Sequence, residues 1–161
     1  MTSIGQFLKT VKIFENLTEE ELDLLVPLFE VLNVKNKGRV IKEGEVSDVF
    51  YVIRTGHFHV TKGTKDAVIT VLGPKDCFGE ASLFHNVHRT ASVAATEDAQ
   101  ILVLHRDQFQ QFLFRYPIAA NRILFQMLKE LFFRLEETSA ELEMARGSTA
   151  VAENAINRLL R

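Results

Sequence analysis

A chain of 161 residues, 47% hydrophobic and 25% charged, suits one domain that buries its own core, with room for an appended element. Its formal net charge of −2 gives no basic footprint for nucleic acid, and its single cysteine, Cys77, rules out an intrachain disulfide and fits a reducing compartment. Apolar runs stay below the ~18 residues of a membrane span, and Met1-Thr2-Ser3-Ile4-Gly5 lacks the basic and apolar regions of a signal peptide, so the expected location is the cytoplasm.

Phe7, Leu8, Val11, Ile13 and Phe14 form an apolar N-terminal segment expected to pack as helix. Thr18 and Glu21 read as a capping box, and Leu17 with Leu22 sits at hydrophobic-staple spacing. A helix is therefore expected from near Glu19 to around Pro27. From Phe29 to Leu104 the pattern becomes β-rich, at Val40-Ile41, Val49 to Ile53, Phe58 to Thr61, Val68 to Leu72, Ala91 to Ala95 and Ile101 to Leu104. Asn36-Lys37-Gly38, Thr55-Gly56, Lys62-Gly63-Thr64 and Gly73-Pro74 separate these strands, their glycines suiting positions of positive φ. Many short strands between regular turn signals predict a sandwich or barrel.

After Leu104 the period becomes helical. A short helix is expected from about Arg106 to Arg115, broken at Tyr116-Pro117. A long helix follows from about Ile118 towards Arg146, roughly 40 Å at 1.5 Å per residue. Leu128, Leu131, Leu135, Thr138, Leu142 and Ala145 keep the a/d spacing of a heptad. Ile123, Leu124, Met127 and Phe132 widen that face, so the helix suits packing on the strands as well as pairing with a second copy. Gly147-Ser148-Thr149 reads as a break, and Ala150 to Arg161 as a final helical piece.

The chemistry concentrates in one loop. Phe78-Gly79-Glu80 and, nine residues after Glu80, Arg89-Thr90-Ala91 place a carboxylate, a guanidinium and small residues between two apolar strands. A carboxylate suits a pair of sugar hydroxyls, and a guanidinium fork suits two phosphate oxygens. Glu80-Ala81-Ser82-Leu83 can form one helical turn whose free N–H groups favour an anion. Taken together these residues describe a ribose-phosphate pocket.

Phe78 to Leu83, five residues, then Arg89-Thr90-Ala91-Ser92-Val93 resembles the phosphate-binding cassette of cyclic-nucleotide-binding domains. Gly44-Glu45-Val46-Ser47-Asp48-Val49-Phe50-Tyr51-Val52-Ile53-Arg54-Thr55-Gly56 resembles the same family's paired-glycine β-roll signature. The resemblance runs from about Phe7 to about Glu137. It implies an α+β, mainly β fold: an antiparallel, jelly-roll-like β-roll over 29–104, with N-terminal helices over 1–28 and C-terminal helices over 106–146. Residues 147–161 would then be a helical tail or a linker to an effector domain.

The resemblance also implies roles. Glu80 accepts from the ribose 2′-hydroxyl, Arg89 binds the cyclic phosphate, and backbone N–H groups near Gly79, Ala81, Ser82 and Ala91 hold phosphate and sugar oxygens. Thr90 faces the purine. Counting from Pro117, the lid positions nearest the base are about Glu130, Arg134 and Leu135. Arg134 either meets the purine or forms an (i, i+4) pair with Glu130. With Phe78 these are the expected ligand-binding residues. Ala81 departs from the family's larger aliphatic residue, and Asn86-Val87-His88 from a segment that often carries Gly and Pro. The implied ligand is cyclic AMP, with cyclic GMP the alternative, and no further cofactor or metal. The implied partners are a second copy through helix 118–146 and an effector domain. Residues 147–161 are too few for a DNA-recognition domain.

Other constellations are weaker. His57-Phe58-His59 on a strand resembles the His-x-His of metal-binding cupins, but Val60 to Lys65 supplies no acid. His85 and His88 flank the loop tip as exposed residues, and Cys77 suits a small buried hydrophobe. Neither a nucleophile elbow nor a Walker glycine loop is present, so the chain reads as a sensor and not an enzyme. The competing readings are a ligand-free dimerisation or scaffold module and, further off, a cupin-like metal enzyme.

Overall fold

Alternation along the strands builds the core. Tyr51 and Ile53, Val93 and Ala95, and Ala99, Ile101 and Val103 each point one way at every second residue, and they meet Val34, Ile41, Phe58 and Phe78 in one buried cluster. The computed structural model describes residues 2–63 and 67–159, those at 87 and 147–159 by their backbone alone. Thr64 of an expected turn and Leu160-Arg161 of the expected tail lie outside the described residues. The chain divides into two units, 1–123 and 124–161.

Among the described residues of the first unit, ten antiparallel strands form a β-roll. They are β1 (Glu30–Val34), β2 (Arg39–Ile41), β3 (Val46–Ser47), β4 (Val49–Thr55), β5 (Phe58–Lys62), β6 (Ala67–Leu72), β7 (Cys77–Phe78), β8 (Val87–His88), β9 (Ser92–Ala95) and β10 (Ala99–His105). One sheet runs β1-β10-β4-β7, the other β2-β9-β5-β6, and β3 pairs with β8 apart from both. β1 and the two-residue strands β3, β7 and β8 were not expected from the sequence. A two-residue strand has no period to read, and β1 buries only Val34 of its five residues. β10 buries Ile101 to Leu104 in succession, which marks a strand covered on both faces.

Helices close one side. α1 (Ser3–Leu8) packs on α2 (Glu19–Leu25). Leu8, Val11, Phe14, Leu17, Leu22 and Leu25 are all buried. The capping box is present: Thr18 N–H donates to Glu21 Oε2 at 2.8 Å, and Glu21 N–H to Thr18 Oγ1 at 3.2 Å. α3 (Arg106–Arg115) ends at Tyr116 and packs on β10 and on the turn 80–83. α4 begins at Pro117.

Two sequence expectations need correction. α4 runs unbroken from Pro117 to Leu159, with no interruption at Gly147-Ser148-Thr149. A single glycine costs a helix only about 1 kcal/mol against alanine, and no proline follows to stop it. In the turns, Gly56 and Gly63 do take positive φ, but Lys37 (φ 65°) and Lys75 (φ 79°) carry it in place of Gly38 and Gly73. Gly38 is needed for room instead, since a Cβ there would lie 2.7 Å from the Lys35 carbonyl. In the second unit, Leu128, Leu131, Leu135 and Leu142 are exposed along α4.

Candidate functional site

The site is assembled from two sequence signatures that hydrogen-bond to each other. β3 pairs Val46 with His88 and Ser47 with Val87. The ladder extends through Gly44 N–H to the Arg89 carbonyl and Arg89 N–H to the Glu45 carbonyl, both 2.8 Å. His88 Nδ1 lies 2.9 Å from the Gly44 carbonyl. That oxygen only accepts, so the proton sits on Nδ1.

Gly79 opens the other arm. Its φ of 81° and ψ of 17° are left-handed, and it caps a 3-10 turn over Glu80–Leu83. A Cβ at Gly79 would stand 2.6 Å from Arg89 Nη1 and 2.8 Å from the Val49 carbonyl. Glycine is thus required twice, by backbone angle and by the guanidinium lying against it.

Arg89 is the chemical centre. It is only 7% exposed. Its Nη2 donates to Ser47 Oγ at 2.8 Å and to the Val49 carbonyl at 2.6 Å. The guanidinium carbon is 5.9 Å from the Tyr51 ring centroid, within cation–π range. Tyr51 in turn stacks on Phe78, with centroids 4.9 Å apart and planes 20° apart. Phe78 therefore lies in the floor under the guanidinium, one aromatic ring removed from it. Burial pulls the guanidinium below its ordinary pKa, against Tyr51, Glu80 and Asp48, which raise it. Burial likewise pushes the Tyr51 phenol up, with Arg89 opposing and Asp48 adding.

Two polar atoms of this loop, Arg89 Nε and Ser82 Oγ, are buried without a hydrogen-bond partner. Such groups cost about 1–3 kcal/mol each when left without a partner. The N–H of Ser82 is already used, donating to the Gly79 carbonyl at 3.1 Å. Glu80 is half-buried at the head of the turn, Ala91 is half-buried, and Ala81 and Thr90 are exposed. Phe78, Gly79, Glu80, Ala81, Ser82, Arg89, Thr90 and Ala91 thus share one loop system. Arg134 lies in the second unit, on α4, where its carbonyl accepts from Thr138 Oγ1 at 2.8 Å.

Sequence reading missed Ser47, Tyr51 and Arg106 here. Ser47 and Tyr51 sat within a recognised signature, but nothing in the local pattern said which of its side chains faces Arg89. Arg106, the first residue of α3, bonds the Ser82 carbonyl through Nε and Asn86 Oδ1 through Nη1. The available signal was its charge, since a cation at a helix N-terminus opposes the dipole and needs another reason to be there.

Of the other constellations, His57, His59, His85 and His88 are exposed, and Cys77, expected to be buried, is only half-buried. His57 precedes β5 and pairs with Glu97 at 2.7 Å. Among the described residues no group of three His, Cys, Asp or Glu is placed to hold a metal. No helix among them is long and apolar enough to cross a membrane.

Comparison with known proteins gives the family. The cyclic nucleotide-binding domain model matches residues 31–116, more than half of the chain. The cyclic AMP receptor protein of Thermus thermophilus is 27% identical over 140 residues, covering 85% of this chain and 63% of that protein. A cGMP-dependent protein kinase of Eimeria tenella is 33% identical over 104 residues, covering 64% of this chain and 10% of the kinase. A solved cyclic nucleotide-binding domain from Methylobacillus flagellatus superposes with a TM-score of 0.73 at 26% identity, covering 83% of this chain and 77% of that one. The chain therefore spans less than two thirds of the length of both named relatives, and it belongs to the cyclic nucleotide-binding domain family.

Proposed function

We propose that this protein is a cyclic-nucleotide sensor in which Arg89 receives the cyclic phosphate and Glu80 the ribose 2′-hydroxyl. The observation that carries the reading is the buried Arg89 guanidinium with an unpartnered Nε, together with the unpartnered Ser82 hydroxyl of the same loop. An anionic phosphate is an acceptor of the kind these donors call for. The N–H groups of Gly79, Ala81 and Ala91 add to the oxyanion contacts, and Thr90, exposed next to Arg89, faces the base. Cyclic AMP is the proposed ligand. Similarity to the cyclic AMP receptor extends over more of the chain than similarity to the cGMP-dependent kinase, although Thr90 would also suit the guanine amino group. A competition assay in which cyclic GMP binds more tightly would reverse that preference.

Arg134 is the proposed purine contact of the bound state, and movement of α4 the proposed output. A ligand shifts such an element only by its differential affinity for two states, and a 1:99 to 99:1 switch needs about 5.5 kcal/mol. We take residues 1–146 as the binding domain and the rest of α4 as the lead into an effector, with a second copy joined through 118–146. We place the protein in the cytoplasm, where the free thiol of Cys77 stays reduced.

Titration calorimetry tests the site. Arg89→Ala should lose about 2–5 kcal/mol of cyclic AMP binding, the cost of removing one side of a buried charge pair. Unchanged affinity would refute the assignment. A thermal melt separates the ligand-free scaffold reading. Ligand at 100 times Kd stabilises a binding fold by about 2.7 kcal/mol, whereas a scaffold melts unchanged.

A further inference from the structure

Arg106 is surrounded by neutral acceptors. Its Nε bonds the Ser82 carbonyl. Nη1 bonds Asn86 Oδ1 at 2.5 Å, and Nη2 the carbonyls of His85 at 3.1 Å and Ser47 at 3.4 Å. Its own N–H donates to the Asp48 carbonyl at 2.9 Å. Ser82 and His85 offer carbonyls at the end of the turn 80–83, where helical partners run out. Only a guanidinium, with five donors in a planar fork, reaches this many acceptors from one side chain.

The turn 80–86 carries Glu80. Strand β3 and the start of β4 carry Arg89, through Ser47 Oγ and the Val49 carbonyl. Ser47 is shared, its hydroxyl bonded by Arg89 and its carbonyl by Arg106. The two groups proposed to hold one ligand thus hang from two segments, and Arg106 is bonded to both.

We propose that Arg106 is a positioning residue of the cyclic-nucleotide site: its guanidinium locks the turn 80–86 to Ser47 and so sets Glu80 and Arg89 at the separation one ribose-phosphate spans. This rests on the reading of the site given above. It makes the fork, and not the charge, the necessary property. Lysine keeps the charge but presents a single compact ammonium.

The test combines Arg106→Gln, Arg106→Lys and Asn86→Ala, the last removing one exposed acceptor of the fork. Cyclic AMP affinity is measured by calorimetry at a temperature where circular dichroism shows each variant folded. Amide exchange over 80–86 is followed in parallel. Arg106→Gln is expected to weaken binding by about 10-fold or more, the scale of hydrogen bonds to a charged group. Arg106→Lys should fail to restore it, and exchange over 80–86 should quicken in both. Full affinity in folded Arg106→Gln, or full rescue by lysine, overturns the proposal. Should Arg106→Gln not fold, Asn86→Ala decides: faster exchange with weaker binding supports the proposal, and wild-type values overturn it. If the wild-type chain binds neither cyclic nucleotide, the functional reading fails on its own, and exchange over 80–86 still tests the hold of Arg106.

Discussion

Gly79 shows how narrowly single residues are constrained at the site. Its positive φ and the 2.6 Å at which a Cβ there would stand from Arg89 Nη1 both exclude a side chain. Gly79→Ala should lose more than ~1 kcal/mol of stability, because alanine is strained at positive φ, and should also displace the guanidinium. A lower melting temperature with weakened cyclic AMP binding is expected. A variant that melts lower but binds as wild type would show that Arg89 does not need this contact. Need for a glycine here was legible in Phe78-Gly79-Glu80. What presses on it was not, because Arg89 is ten residues away and reaches Gly79 only once β8 pairs with β3.

Among the elements, α2 is the one whose making is most local. Both reciprocal bonds of its capping box lie within four residues, and Leu17 and Leu22 are buried on either side of the cap. Thr18→Ala should cost about 1 kcal/mol, a fall of roughly 2–4 °C in melting temperature for a chain of this size. β1 and β10 are tied differently. Asp98 accepts from Lys35 Nζ at 2.8 Å and from the Asn36 N–H at 2.9 Å. These bonds, that to Lys35 first, hold its carboxyl below the ordinary 3.8. A carboxyl depressed in the folded state stabilises above its unfolded pKa and loses that contribution as pH falls through the folded value. Protection of the Asn36 amide, its exchange measured against an unstructured peptide at the same pH, should therefore fall on acidification below 3.8, and in Asp98→Ala it should be low at every pH. Asn36 protection that does not change with pH in the wild type would remove the clasp. β1 escaped sequence reading for a related reason: four of its five residues are exposed, so no alternation announces it.

At the scale of the whole molecule, the open question is what the apolar side of α4 meets. Leu128, Leu131, Leu135 and Leu142 keep heptad spacing and are 47–63% exposed, more apolar surface than a lone solvent-facing helix ordinarily carries. The proposed occupant is the same helix of a second copy. Sedimentation should report a dimer, and Leu131→Asp with Leu135→Asp should yield a folded monomer, since paired like charges in an apolar seam are unfavourable. A monomeric wild-type chain at high micromolar concentration would exclude this interface.

Sequence alone determined what lies within a few residues or repeats at a fixed period: the α2 cap, the β-rich runs of β4, β9 and β10, the helical stripe of α4, and the Phe-Gly-Glu to Arg-Thr-Ala spacing that announces a sugar-phosphate pocket. Those features are set by backbone sterics and side-chain period, which act locally. Tertiary structure decided what Arg89 actually holds, Ser47 and Val49 from 42 and 40 residues away, and what steadies the loop, Arg106 reaching Ser47 across 59. Partners at such separations leave no periodic trace in the chain. They are chosen when burial strips the guanidinium groups of water and each must find the nearest oxygen the folded strands present.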